Sequence, residues 1–379
     1  MRVLIMAGGT GGHVFPALAV AQCLRAQGDH VAWLGTQRGL EAKVVPAADI
    51  PIRWVDIKGL RGKGITTWFV TPFRLLRAVA QCLRTLKDEK PDVVLGMGGY
   101  VSVPGALAAV MLGKPFVLHE QNAVPGMSNK LLARFAKRIF RAFDRGFDGY
   151  KNVTTCGNPL REAFVKADSP RERYTTREGA LRVLIVGGSL GAKYLNETVP
   201  EALTVVNENV AVDVWHQSGE KMHSETERAY QQCGLTARVT PFIDDMAEAY
   251  RWSDIVICRS GALTVSEIAA IGVPAIFVPY PYAVDDHQTV NARYLSDSGA
   301  AWIAQQAVTT SGDLAELLIK FVQAYSNDLN EVRAALADKA VKAQNKASYD
   351  AVDQIVKTCR ALFGQGRNHD VVIEEKGTK

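Results

Sequence analysis

Short apolar runs alternate along the chain with longer stretches whose apolar residues recur at helical spacing. Val3–Met6 reads as a strand, and Pro16–Gln27 as the helix after it, ended by Gly28. His30–Leu34, Asp92–Leu95, Phe116–Leu118 and Thr154–Cys156 are further strands of the first half. Val183–Val186, Val212–His216, Val239–Pro241, Ile255–Cys258 and Ala275–Val278 are those of the second. Uninterrupted apolar strands belong in parallel sheets covered on both faces. Strict alternation with helices predicts an α/β fold with right-handed crossovers and ligands at the carboxyl ends of the strands. Asp350–Phe363 predicts the last helix, and Gly364–Lys379 reads as a tail without structure.

One loop pattern occurs twice. Arg2-Val-Leu-Ile-Met-Ala-Gly-Gly-Thr-Gly-Gly-His13 and Arg182-Val-Leu-Ile-Val-Gly-Gly-Ser-Leu-Gly-Ala192 are each a buried-strand run that breaks into glycines before a helix. Glycine lets a backbone approach a ligand, and the next helix offers unpaired N–H groups to an anion. Two such loops predict two similar domains with a ligand between them, as 379 residues also do. Gly157-Asn158-Pro159 is a turn that suits the boundary.

Composition narrows the class. A net charge of +5 fits an anionic small substrate or surface but not a nucleic-acid binder. The six cysteines are scattered, which argues for reduced cytosolic thiols and against a zinc site or a disulfide frame. No stretch approaches the ~18 apolar residues of a spanning helix, so the protein is expected to be soluble or to sit on a membrane surface.

The second strand runs into Leu34-Gly35-Thr36 without the acid that would hold a dinucleotide ribose. Gly62-Lys63-Gly64 lacks the Ser or Thr of a Walker A loop. The most specific segment is Cys258-Arg-Ser-Gly-Ala-Leu-Thr-Val-Ser-Glu267, a strand end, a turn and a helix whose first N–H groups can hold a diphosphate without a metal. Glu267 then either binds a ribose or is a surface residue, with Ser260 a simple helix cap. Gln288, after Asp285-Asp286-His287, suits sugar hydroxyls. His13 beside the first loop can take a proton near neutral pH, or cap, or bind phosphate. The quartet His119-Glu120-Gln121-Asn122 either lines a site or pairs with its own neighbours.

These segments, together with Gly59-Leu-Arg-Gly-Lys-Gly64, Pro91-Asp-Val-Val-Leu-Gly-Met-Gly-Gly-Tyr-Val-Ser102 and Phe242-Ile-Asp-Asp-Met246, resemble the MurG family of peptidoglycan-precursor N-acetylglucosaminyltransferases from Arg2 to about Phe363. The resemblance implies the GT-B glycosyltransferase fold, two Rossmann-like parallel-sheet domains with the active site in the cleft between them. It places an acceptor domain at residues 1–160, joined by a returning helix at about 347–363, and a donor domain at 161–346. It implies inverting transfer of N-acetylglucosamine from UDP-N-acetylglucosamine to the 4-hydroxyl of the muramyl sugar of lipid I (undecaprenyl-diphospho-N-acetylmuramoyl-pentapeptide), giving lipid II and UDP. The location implied is the cytoplasmic face of the bacterial inner membrane, with other cell-wall synthesis proteins as further partners and no cofactor or metal.

Carried over residue by residue, Ser189 and the Leu263-Thr264 turn fall at the phosphates and Glu267 at the ribose. Arg161 and Ile243 fall near the uracil, and Gln288 at the sugar. Thr10, Gly11, Gly12, His13 and Asn122 are assigned to the same UDP-sugar site. Gly98, Gly99, Tyr100, Ser102 and Asn122 are assigned to the acceptor. His13 is the expected base, with Glu120 and Asn122 orienting; the rival has Glu120 as base and His13 on the acceptor diphosphate. Two positions depart from the family: Leu190 and His287 stand where Gln is frequent, which removes a polar contact at the first and leaves the sugar contact to Gln288. A helix with Thr71 as cap and Pro72 first would set Phe73, Leu76, Val79, Leu83 and Leu86 on one stripe. With Phe69 before it and Arg74, Arg77 and Arg84 beside it, that stripe is expected either to dock on anionic lipid or to pack on its own sheet. A UDP-N-acetylglucosamine 2-epimerase of the same fold is the alternative enzyme, and a nucleotide-sugar-binding regulator without chemistry is the third reading.

Overall fold

The computed structural model describes residues 1–57, 66–165, 168–324 and 328–376, with side chains described except at 66–70 and 365–376. The chain forms two compact units, Met1–Arg161 with Ser348–Lys379, and Glu162–Ala347.

The first unit runs β1 (Arg2–Met6), α1 (Gly11–Ala26), β2 (His30–Gly35), α2 (Glu41–Ala47), β3 (Ile52–Trp54), α3 (Thr66–Glu89), β4 (Val93–Gly96) and α4 (Ser102–Met111). It continues through β5 (Phe116–Glu120), α5 (Met127–Leu132), β6 (Arg138–Arg141) and β7 (Val153–Thr155). Among the described residues its sheet has seven parallel strands in the order β3-β2-β1-β4-β5-β6-β7. The strand period of two sorts β1 between both faces. Val3 and Ile5 pack with α1 residues such as Val20 and Leu24, and with Ile355 and Cys359 near the chain's end. Leu4 and Met6 pack with Ala78, Cys82 and Leu86 of α3 and Ala106 and Ala109 of α4.

The second unit begins with two short helices, α6 (Glu162–Val165) and α7 (Pro170–Thr175). It then alternates β8 (Leu181–Val186), α8 (Lys193–Asn207), β9 (Val212–Gln217), α9 (His223–Gln232), β10 (Arg238–Thr240), α10 (Met246–Trp252) and β11 (Ile255–Cys258). It closes with α11 (Ala262–Ile271), β12 (Ala275–Phe277), α12 (His287–Ser296), β13 (Ala301–Ile303), α13 (Ser311–Gln323) and α14 (Leu329–Gln344). The sheet order is β10-β9-β8-β11-β12-β13, again parallel. The last helix, α15 (Ala351–Lys376), belongs to the first unit.

In both sheets the first strand is flanked by the second and by the fourth, so strand order reverses there. β1 pairs with β4, placing Ile5 beside Leu95. β8 pairs with β11, placing Ile185 beside Ile257. Reversal points leave a crevice at the strand ends, and each unit puts two of its loops there.

Several elements differ from the sequence expectation. β3, β6 and β13 are additional strands. β6 carries only Ile139 and Phe140 between two arginines, too short an apolar run to signal a strand. α1 starts at Gly11 rather than Pro16, because His13 and Val14 N–H already bond Thr10 O. α3 starts at Thr66, with Pro72 inside it rather than at its first position, at the cost of one backbone hydrogen bond. β5 extends to Glu120, so two members of the polar quartet lie within the strand. α15 continues to Lys376 through the segment expected to lack structure. Gly364 and Gly366 lower helix propensity without stopping a helix already nucleated, and no proline follows.

Candidate active site

In the first unit the β1–α1 and β4–α4 loops lie against each other. Gly99 has φ +85°, and a Cβ there would stand 2.4 Å from Gly8 O. Gly98 has φ +99°, and its Cβ would stand 2.5 Å from His13 Cδ2. Both positions need glycine for space as well as for backbone conformation. His13, in the first turn of α1, is half-buried, while Thr10 and Tyr100 are exposed beside it in sequence on the two loops. Ser102 is fully buried instead: its hydroxyl donates to Gly98 O at 3.0 Å, with Met6 O at 3.4 Å. It braces the loop from beneath, so the acceptor contact expected of it does not suit its place.

The first glycine loop has a support that the sequence reading missed. The Glu41 carboxylate, fully buried at the start of α2, accepts Gly9 N–H (2.9 Å), Thr36 N–H (2.9 Å) and Thr36 Oγ1–H (2.7 Å). An acid does lie near this loop, but it arrives from the next helix and is turned to the backbone, unlike a ribose-binding acid at a strand end. Trp33 Nε1–H donates to Ala7 O at 2.9 Å and holds the same loop from below.

The polar quartet pairs with its own neighbours. His119 Nε2–H donates to Gly157 O at 3.0 Å, and burial pulls its pKa down to about 4, so the ring is neutral. Gln121 Nε2 donates to Met97 O, and Asn158 Nδ2 to Gln121 O. Glu120 is 2% exposed. Its Oε1 accepts from Asn122 N–H and Nδ2, and its Oε2 from Gly126 N–H and Asn129 Nδ2. Four donors fill the acceptor sites of a carboxylate. Arg161 closes this unit, its guanidinium 5.3 Å from the centroid of the Phe15 ring.

In the second unit the β8–α8 loop and the β11–α11 turn are the paired loops. Ser189 and Leu190 are exposed at the crown of the first. Gly187 and Gly191 are glycine for contact reasons: a Cβ would stand 2.5 Å from Ala192 N at the former and 1.9 Å from Ser218 O at the latter. Gly261 caps α11, and Leu263 and Thr264 lie in its first turn, where helix N–H groups have no intrahelical acceptor. Ser260 is fully buried, and its hydroxyl has no hydrogen-bond partner among the described residues. Glu267, in the second turn, is 7% exposed, which sets aside the reading of it as a surface residue.

The loop beyond β12 is held from within. Arg259 donates to Val278 O, Pro279 O and Gln306 Oε1. Gln288 Oε1 accepts Tyr280 N–H at 2.9 Å, so its Nε2 end is the one that can reach a hydroxyl. His287 Nδ1 is 2.8 Å from Val284 O, and Asp285 and Asp286 take positive φ in this turn. Ile243 is buried, and its N–H donates to Gln217 Oε1. Among the described residues no three His, Cys, Asp or Glu side chains converge as a metal site.

On α3 the expected stripe divides. Ala78, Cys82 and Leu86 face the core with Leu83 packed beside them, and Val79 is half-buried. Phe73 and Leu76 stand 74% and 66% exposed. A stripe spaced mostly at intervals of three drifts around a helix of 3.6 residues per turn, which carries its two ends onto different faces. The Phe69 side chain and the segment around Arg61 and Lys63 lie outside the described residues. No described helix is long and apolar enough to cross a membrane.

Comparison with known proteins agrees with this geometry. Residues 3–141 match the glycosyltransferase family 28 N-terminal domain and residues 182–355 its C-terminal domain. A curated protein of Burkholderia pseudomallei (strain 1106a) is 49% identical over 367 residues, 96% of each chain. It is named UDP-N-acetylglucosamine–N-acetylmuramyl-(pentapeptide) pyrophosphoryl-undecaprenol N-acetylglucosamine transferase. The crystal structure of MurG from Acinetobacter baumannii superposes with a TM-score of 0.80 at 42% identity, covering 95% of this chain and 99% of that one. A putative UDP-N-acetylglucosamine 2-epimerase from Listeria monocytogenes shares the fold alone, with a TM-score of 0.62 at 14% identity over 94% of each chain. The two parallel-sheet units are those of a GT-B glycosyltransferase, and the chain belongs to glycosyltransferase family 28 and, within it, to the MurG family of N-acetylglucosamine transferases.

Proposed function

We propose that this enzyme transfers N-acetylglucosamine from UDP-N-acetylglucosamine to the muramyl 4-hydroxyl of lipid I, the chemistry for which its Burkholderia relative is named. The observation that carries the donor half is the loop pair at the reversal point of the second sheet. There a buried Ser260 hydroxyl, without a hydrogen-bond partner among the described residues, and a helix N-terminus stand in sequence just ahead of the buried Glu267 carboxylate. A buried hydroxyl without a partner costs about 1–3 kcal/mol, a cost that a bound diphosphate or water would remove.

In this reading the second unit holds the donor: Ser189, Leu263 and Thr264 at the phosphates, Glu267 at the ribose, Ile243 at the uracil and Gln288 at the sugar. Arg161 is assigned to the uracil with Ile243. Thr10, Gly11, Gly12, His13 and Asn122 are assigned to the UDP-sugar as well, and Gly98, Gly99, Tyr100 and Asn122 to the acceptor. The acceptor oxygen forms its bond to the anomeric carbon while the bond to the diphosphate oxygen breaks. UDP leaves with that electron pair, the configuration inverts, and the hydroxyl proton passes to His13. Glu120 serves by shaping the loop that carries Asn122. Phe73 and Leu76, with Arg74 and Arg77 exposed beside them, bring the enzyme to an anionic membrane surface on the cytoplasmic side, where an undecaprenyl acceptor resides.

Radiolabelled UDP-N-acetylglucosamine with a short-chain lipid I analogue tests the reading. Transfer to the analogue, persisting in EDTA, is expected. Release of the 2-epimer, or retention of intact donor, would refute it, and activity lost in EDTA and restored by magnesium would refute the metal-free diphosphate site.

A further inference from the structure

Gln217 is the last residue of β9, the strand between β8 and β10, and is 3% exposed. Its register partners are Val186, just before the second glycine loop, and Thr240, just before the segment that leads to Ile243. Both ends of its amide are used. Nε2 donates to Gly188 O at 2.9 Å, and Oε1 accepts Ile243 N–H at 3.0 Å. The partners settle the amide's orientation, because a carbonyl needs a donor and an N–H needs an acceptor. Gly188 O also accepts Gly191 N–H at 2.9 Å, so the amide grips the loop where it is already closed on itself. No backbone hydrogen bond found among the described residues joins Gly188 to Ile243; the side chain is the link.

We propose that Gln217 is a positioning residue of the donor site, setting the spacing between the loop that carries Ser189 and the backbone at Ile243. The proposal rests on the donor reading above and deepens it. A nucleoside diphosphate has a rigid base at one end and a charged group at the other. It binds with full affinity only if both subsites are already at the right separation, because a loop that must reorganise spends binding energy on ordering. An amide that joins the two loops supplies that separation before the ligand arrives. A ligand that uses only one of the subsites does not need it.

The test compares UDP with uridine by calorimetry on the full-length enzyme. Gln217→Met keeps the size and removes both hydrogen bonds. UDP affinity should fall about 10-fold and uridine affinity less than about 3-fold, with donor KM raised and kcat at saturating donor largely retained. Gln217→Glu keeps the acceptor for Ile243 but sets a carboxylate against Gly188 O until it is protonated. Its UDP affinity, relative to wild type at each pH, should recover as pH falls, and this variant carries the test if the methionine variant does not fold. UDP binding unchanged in folded Gln217→Met, uridine and UDP weakened alike, or a Gln217→Glu affinity parallel to wild type across pH would each overturn the proposal. Wild-type enzyme that fails to bind UDP would instead remove the donor reading on which it stands.

Discussion

Asn129 Nδ2 donates to Glu120 Oε2 at 2.8 Å, and with that bond the Glu120 carboxylate is fully occupied by its own loop. To accept a substrate proton it would have to surrender one of four hydrogen bonds. His13 lies half-buried in the first turn of α1, beside the first glycine loop. His13→Ala is therefore expected to lower kcat by about 10²–10⁴ with UDP affinity nearly intact. Glu120→Gln should lose stability yet keep the acid limb of the pH–rate profile. If His13→Ala raises only the lipid I KM, or if the acid limb vanishes in Glu120→Gln, the base is Glu120.

Glu41 is the buried acceptor of Gly9 N–H in the loop it supports. Glu41→Ala leaves the N–H groups of Gly9 and Thr36 without their buried acceptor, and should destabilise the enzyme by about 2–3 kcal/mol in urea unfolding. Acceptor KM should rise more than donor KM, since the loop belongs to the first unit. A loss below about 0.5 kcal/mol would show that water replaces the carboxylate without cost.

Glu267→Ala removes a buried carboxylate proposed to accept the ribose hydroxyls. A charge-assisted hydrogen bond is worth about 1.5–3 kcal/mol, so UDP should bind roughly 10- to 100-fold more weakly. Calorimetry on the folded variant decides, and unchanged affinity would assign the ribose elsewhere.

Phe73 and Leu76 leave apolar area in water that a membrane surface would cover. Flotation with anionic vesicles should recover the wild-type enzyme in a salt-sensitive manner, and the Phe73→Ser, Leu76→Ser double variant much less. Wild-type protein that stays in solution at low salt would contradict the docking role.

His119 and His216 are neutral and buried in different units, with burial lowering their pKa values to about 4 and about 3. His216 is held between Tyr230 and Asn196. The unfolded chain has ordinary histidines, with pKa near 6.5, so between those values it binds protons that the folded chain does not. The contribution to stability is complete above pH about 6.5 and is lost as pH falls toward 4 and 3, by a few kcal/mol at most per group. The unfolding midpoint should drop between pH 7 and pH 4.5, less so in His216→Gln. A flat profile, or a buried imidazole that titrates near 6 by NMR in the folded enzyme, would contradict this.

The alternation of short apolar runs and helical periods determined two parallel-sheet units, because strands buried on both faces read as uninterrupted apolar runs and the helices between them supply the crossovers that parallel pairing needs. The glycine repeats at Gly8 and Gly187, and the turn before α11, were legible as tight loops opening helices for a local reason: the residues that need glycine, and the helix that follows, are adjacent in sequence. The directions of the long-range contacts were not legible. Which strand lies beside β1 depends on crossover packing, and that choice is what sets Gly98 against His13 and Gly99 against Gly8. Likewise, a carboxylate has the same letter whether it faces a ligand or a backbone. Only the tertiary structure turned Glu120 inward onto its own loop and Glu41 onto the N–H of Gly9 in another, kept Ser102 beneath the glycines, and placed both ends of Gln217 between two loops. Burial of polar groups is permitted where partners from distant segments meet them, and those partners exist only once the chain has folded.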